Sequence, residues 1–412
     1  MSTAAQHHHS GYYTPSLPSQ LTTPLWVCVG VGVCAFLLGV WLSPQRAWQA
    51  YLVNWLFWSG ISLSGITFAA ILHVVNAQWA GPLRRLAEGM AAFLPVSFVL
   101  FFLLIFGSAY IFPWLHEPIE AKQAWLNIGF VFFRDFCSIA ILYTLSIVFV
   151  YYSLRPQADR IPVHTTRWLT SLIEKLRQDW RDTETEQAHS EQALTVLSPI
   201  FILLYAVLFS LIAFDLVMSL EPDWVSTLFG AYFCIGNIYA GLAVIMISAV
   251  AVHATLGIQV LPSTAQSHDF GKLIFGFCIL WTYMFWCQYL PIWYGNLPEE
   301  TGFVLVRLAE QPWAAVSSVV LVLNFLIPFP VLLSQRIKQI PKALAGLGIL
   351  IVLGMWLERY VLVVPSLWPE TSLPLGVLEL CMLAGFFGGY ALAFLTFVQV
   401  FVPADSRKIS QR

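Results

Sequence analysis

The sequence predicts an all-α, polytopic integral membrane protein, and three observations carry that prediction. Of its 412 residues, 58% are hydrophobic and only 10% charged, where an ordinary soluble domain carries about 25% charged residues. Ten stretches are apolar for long enough to cross a bilayer as helix, which takes about 20 residues. Finally, Lys and Arg concentrate in every second connection between those stretches, as positive charge does on the cytoplasmic side of a membrane.

Residues 1 to 24, with three consecutive histidines at His7, His8 and His9, lack the charged opening and cleavage site of a signal peptide and are expected to be a disordered cytoplasmic tail. The spans then follow in order, at approximately 25–43, 51–77, 88–112, 125–153, 194–220, 225–256, 268–290, 312–334, 342–362 and 375–402. Residues 25–153 thus make a first membrane half and 194–402 a second, with a short tail at 403–412. The connection 154–193 is the long one. Trp168, Leu169, Leu172, Ile173, Leu176 and Trp180 mark one apolar side of it, which predicts an amphipathic helix lying on the cytoplasmic surface.

Fifteen of the twenty Lys and Arg residues lie in the connections after even-numbered spans, so both termini are expected in the cytoplasm. The acidic stretch "SLEPDW" and the segment "QYLPIWYGNLPEETG" then face the periplasm. Nucleic-acid binding is not indicated, because the net charge of −2 comes from scattered loop charges rather than a basic face. All seven cysteines lie in apolar runs without C-x-x-C spacing, which argues against iron–sulfur ligation, covalent haem and a disulfide framework.

Ionisable residues within spans are costly and are therefore functional candidates. Towards the periplasmic side these are Arg134 and Asp135, Asp215, Glu358 and Arg359, and Glu379, with Glu221 and Asp223 in the loop beyond Asp215. Towards the cytoplasm they are His73, Glu88, His253, His268, Asp269 and Lys272. Glu88 and Lys272, near span ends, are expected to be solvated interfacial charges. His73 and His253 are the two histidines deep enough to bind one haem b between helices, although a hydrogen-bonded pocket or proton path is the more economical reading. No metal cluster can be assembled from the rest.

The segments "LEPDWVSTLFGAYF", "HDFGKLIFGF", "QYLPIWYGNLPEETG" and "YLVNWLFWSGISLSGITFAAILHVVNAQWAGPLRRLAEGMAAFLPVSF" resemble the ActF-type membrane subunit of bacterial alternative complex III, within the NrfD and polysulfide-reductase family. The resemblance runs from about residue 48 to 400 and leaves out the N-terminal tail. It implies ten helices in two four-helix bundles plus two flanking helices, in the bacterial inner membrane, with no redox cofactor of the subunit's own. It further implies an ActC-like sibling subunit, periplasmic iron–sulfur and haem c subunits, and a terminal oxygen reductase as partners. The assembly oxidises a quinol, and this subunit contributes a quinone-binding environment, a proton path or both.

In the proton-path reading Glu221, Asp223 and Asp215 form the exit, Arg134 and Asp135 lie deeper, and His73, His253, His268 and Asp269 form a cytoplasmic branch. Glu379 is a further candidate. Asp215, with no basic neighbour in sequence, is expected to carry the proton, and Asp135, beside Arg134, to be a fixed charge. In the structural reading "SLEPDW" is a tight connection and Asp223 caps the next helix. A membrane anchor for peripheral redox subunits and an independent secondary transporter remain the alternative functions.

Overall fold

The computed structural model describes residues 17–161, 167–368, 370 and 372–402. His7 to His9, Arg407, Lys408, Arg412 and the side chains of Arg160, Arg167, Trp168 and Leu169 lie outside what it describes. Ten helices are long and apolar enough to span a membrane: α1 Ser19–Leu42, α2 Pro44–Val74, α3 Gly81–Leu103, α4 Ile128–Leu154, α5 Thr183–Leu216, α6 Phe229–Leu256, α7 Thr264–Gly295, α8 Trp313–Leu333, α9 Pro341–Val363 and α10 Val377–Phe401. No strand occurs among the described residues.

Several helices depart from their expected limits for local reasons. α1 begins at Ser19, inside the expected tail, and carries Pro24 within it. α3 starts before Glu88, because Pro82 sits in the first turn, where a missing N–H costs nothing. It ends at Leu103, and the apolar residues after it form turns instead of continuing the span. Glu88 therefore lies about two turns inside the helix. α5 starts well before the apolar run, at Thr183, where the Asp182 side chain accepts from the Thr185 N–H at 2.9 Å. A short helix, Pro298–Leu308, fills part of the connection between α7 and α8.

α2 is the central helix, in contact with α3, α5, α6, α9 and α10. Its crossing with α6 depends on small residues: a Cβ on Gly60 would overlap the Asn237 side chain, and one on Gly241 the Ser64 hydroxyl. α1 lies along α10, where Gly32 and Gly385 bring the two backbones together. α4 packs on α5, α7 on α6 and α8 on α9. The wide lipid-type surface left on α1 and α7, with Trp26, Trp41, Trp293 and Tyr294 exposed, is what a bilayer solvent permits.

α8 contains one turn of π-helix at Val322–Leu326, just before Pro328. Pro328 has no N–H to offer the carbonyl four residues back, that of Asn324. The Tyr239 hydroxyl at 3.0 Å and the Cys278 thiol at 3.4 Å donate to it instead. This break in the ladder ties α8 to α6 and α7.

The helix Arg167–Arg177 is amphipathic as expected, and buries Ile173 and Leu176 against Leu154, Ile161, Phe397 and Val400. Leu172, expected on that apolar side, is exposed instead. Arg155 anchors the end of α4 beside this helix, donating to Glu186 of α5 at 2.8 Å and to the Leu176 carbonyl.

Candidate functional site

Connections after odd-numbered helices gather at one end of the molecule, here the odd face, and those after even-numbered helices at the other, the even face. Two buried charge clusters lie towards the odd face. In the first, Arg134 of α4 reaches across to Asp215 of α5, with Nε to Oδ2 at 2.6 Å and Nη2 to Oδ1 at 2.7 Å. Trp125 Nε1 donates to the same carboxylate at 3.1 Å. The guanidinium also lies over the Trp125 ring at 3.8 Å and the Phe130 ring at 4.6 Å. Asp135 is wholly buried, and neither of its oxygens has a hydrogen-bond partner.

This geometry reverses the pairing expected from sequence. Arg134 neutralises Asp215, not its neighbour Asp135, because α5 places the Asp215 carboxylate within reach of the guanidinium. Asp215 is thus the ion-paired acid, and Asp135 the acid without a donor.

The second cluster belongs to α9. Arg359 Nη1 donates to Glu358, while Nη2 donates to Asn237 Oδ1 at 3.0 Å and to the Phe233 carbonyl at 3.1 Å. The guanidinium lies 3.6 Å from the Phe233 ring centroid. Glu358 Oε1 has no partner, and the residue lines a cavity of about 390 Å³ between α6, α7, α8, α9 and the helix Pro298–Leu308. Trp281, Tyr232, Tyr289 and Ser317 form part of the wall. The indole N–H of Trp281 and the hydroxyl of Ser317 are also buried without partners. Exposed Trp286 and half-buried Tyr289 also line it.

Arg307 closes another part of that wall. It is buried and satisfied by neutral acceptors, the Val361, Leu362 and Phe303 carbonyls and the Ser366 hydroxyl. Its guanidinium is 3.5 Å from the Phe303 ring centroid, and Trp224 stacks on Phe303 at 3.7 Å. The acidic stretch therefore meets the cavity through Trp224 rather than through its carboxylates.

The other sequence candidates are dispersed. Glu221 is half-buried in the loop and Asp223 is exposed. Asp223 is not a helix cap, since α6 begins only at Phe229. Lys122 donates to the Pro222 carbonyl and holds that loop, while burial of Trp224 directs Asp223 outward. Glu379 is ion-paired with Arg46 at 2.9 Å and accepts from the Gly376 N–H at 2.7 Å, a structural cap on α10.

At the even face, His73 Nε2 stands 3.7 Å from Glu191, and His253 Nδ1 lies 3.1 Å from the Ile258 carbonyl. Asp269 pairs with Lys272 at 2.7 Å on the surface, as expected for Lys272, and His268 is half-buried nearby in the same helix. Among the described residues no group of three or more His, Cys, Asp and Glu is placed to hold a metal.

Glu88 overturns its expectation as a solvated charge. It is fully buried, with Arg84 at 3.1 Å, Arg85 at 2.6 Å and Ser153 at 2.6 Å. A second, more polar cavity of about 640 Å³ reaches this group from the even face. The residues sequence reasoning passed over are Arg307, Trp281, Ser317, Asn237 and Tyr232. Asn237 alone gave a signal, as an amide inside an apolar run.

No protein-family model matches the chain, and no curated protein matches it.

Proposed function

We propose that this chain is a membrane subunit of a quinol-oxidising respiratory complex of the alternative complex III type, providing a quinol-binding cavity and buried carboxylates that pass protons. In this reading it lies in the bacterial inner membrane with both termini and the even face cytoplasmic. An ActC-like sibling, periplasmic iron–sulfur and haem c subunits and an oxygen reductase complete the assembly. Helices α2–α5 and α6–α9 form its two four-helix bundles, and α1 and α10 flank them. The chain is not catalytic alone.

The observation that carries the reading is the cavity bordered by Glu358. Its aromatic wall suits a planar ring, and Trp281, Ser317 and Glu358 in that wall bring polar side chains beside a ring bearing hydroxyl or carbonyl groups. A quinol supplies electrons and protons when it is oxidised. Glu358 would accept a hydrogen bond from a ring hydroxyl and receive its proton, while Arg359 offsets the charge on the carboxylate. Trp281 and Ser317 would orient the ring, and Trp224 with Phe303 would exclude water from the odd-face side.

Purification of the tagged chain from its native membrane tests the assembly: haem c and iron–sulfur subunits should accompany it, whereas a chain isolated alone would favour a transporter. For orientation, Gln259→Cys at the even face should resist a membrane-impermeant thiol reagent in intact cells, and Gln123→Cys at the odd face should react.

A further inference from the structure

We propose that Asp135 and Asp215 form a proton-holding site in which Asp135 carries the proton and Asp215 is the permanent anion. The inference rests on the proton-passing role proposed above only for its use, not for its chemistry. Asp215 has its donors already, two from Arg134 and one from Trp125. Asp135 has none, although it is wholly buried. An ionised carboxylate without a donor is not tolerated in an apolar interior, so such a group takes up a proton.

Asp135 follows Arg134 on α4, and Arg134 is bonded to Asp215, so Asp215 and Arg134 are the charged groups nearest to it. Two neighbouring carboxyl groups bond to each other only when a proton sits between them. One guanidinium, one carboxylate and one carboxylic acid also make a neutral cluster, which a membrane interior favours. Arg134 Nη1 is buried without an acceptor. That donor stands in reserve to offset the charge when Asp135 gives up its proton, with the guanidinium held in place between the Trp125 and Phe130 rings. Release of the proton breaks the Asp135 O–H bond and forms one on an incoming acceptor such as water, no other bond changes, and Asp215 stays ionised throughout.

Infrared spectroscopy of the intact chain in lipid nanodiscs at neutral pH tests this directly. ¹³C-labelling of aspartate in the unaltered protein should shift a protonated-carboxyl C=O band, because exposed aspartates are ionised at that pH. Asp135→Asn should remove that band and leave the thermal midpoint nearly unchanged, since one neutral group replaces another. Asp215→Asn should lower the midpoint clearly. Absence of an aspartate-shifted band in the unaltered protein, or its persistence in Asp135→Asn, overturns the proposal. So does an Asp135→Asn chain that fails to fold. None of these results depends on quinol turnover, so the site and the quinol reading can fail separately.

Discussion

Arg134–Asp135 and Glu358–Arg359 are the same feature in sequence, an arginine beside an acid within an apolar span, yet the two pairs resolve differently. Glu358 and Arg359 bond to each other, and Arg359 spends its second Nη on Asn237 and the Phe233 carbonyl of α6. Arg134 ignores its neighbour and bonds to Asp215 on the adjacent helix. The difference follows from what each helix packs against. α9 lies on α6, whose groups within reach of Arg359 are neutral acceptors, so Glu358 is the anion Arg359 reaches. α4 lies on α5, which supplies a carboxylate in the path of the guanidinium. Adjacency in sequence thus leaves one acid neutralised and the other without a donor.

The largest expected effect comes from removing the cation of the self-contained pair. Arg359→Met leaves Glu358 buried and unpaired and Asn237 without its donor, a loss of about 3–5 kcal/mol for breaking a buried ion pair from one side. Thermal unfolding in detergent measures it. A variant of undiminished stability would mean that α9 does not depend on that contact and that the two clusters do not differ as described.

Asp215→Asn ranks next, at about 1.5–3 kcal/mol, the value of hydrogen bonds to a charged group. It is milder because Arg134 retains the faces of Trp125 and Phe130 and reaches the surface in part. If Asp135→Asn were the more damaging of the two aspartate variants, the pairing of Arg134 with Asp215 would be wrong.

Much of this contrast was not legible in the sequence, for physical reasons. The ten spans follow from hydrophobic length, because a bilayer demands satisfied backbone over a fixed thickness. The helix Arg167–Arg177 follows from its one-sided apolar pattern. Which acid an arginine chooses is set by helix rotation and by neighbours distant in the chain, as with Arg134 and Asp215, 81 residues apart. Glu88 misled because its position within the apolar run marked a span end, whereas Pro82 starts the helix earlier and Arg85 and Ser153 close over the carboxylate. The cavity was invisible because its wall joins four spans and the helix Pro298–Leu308, which the loop composition did not announce.

A third expected effect separates binding from stability. Glu358→Gln keeps the shape of the side chain but removes the charge that borders the cavity. It is expected to weaken binding of a quinol analogue by about ten- to a hundredfold, the loss of one hydrogen bond to a charged acceptor. Titration of the purified assembly with such an analogue reads this out. Unchanged affinity would leave Glu358 as a purely structural partner of Arg359 and erase the functional half of the comparison.

The smallest effect should come from the pair that resembles both clusters chemically and neither physically. Asp269 and Lys272 are one helical turn apart on α7, their oxygen and nitrogen at 2.7 Å, as close as any contact within the buried cluster of Arg134 and Asp215 apart from the Nε bond. Their side chains are 42% and 56% exposed, however, so water competes for both charges in the isolated molecule and headgroups do so at a membrane edge. Lys272→Met is therefore expected to shift stability by no more than about 0.5 kcal/mol. Raising the salt concentration should reduce even that difference, while leaving the Arg359→Met effect intact, because exposed pairs are screened and buried ones are not. Should Lys272→Met prove as costly as Asp215→Asn, separation rather than burial would set the strength of ion pairs in this fold. The distinction drawn between its two buried clusters would then have to be argued from distance alone.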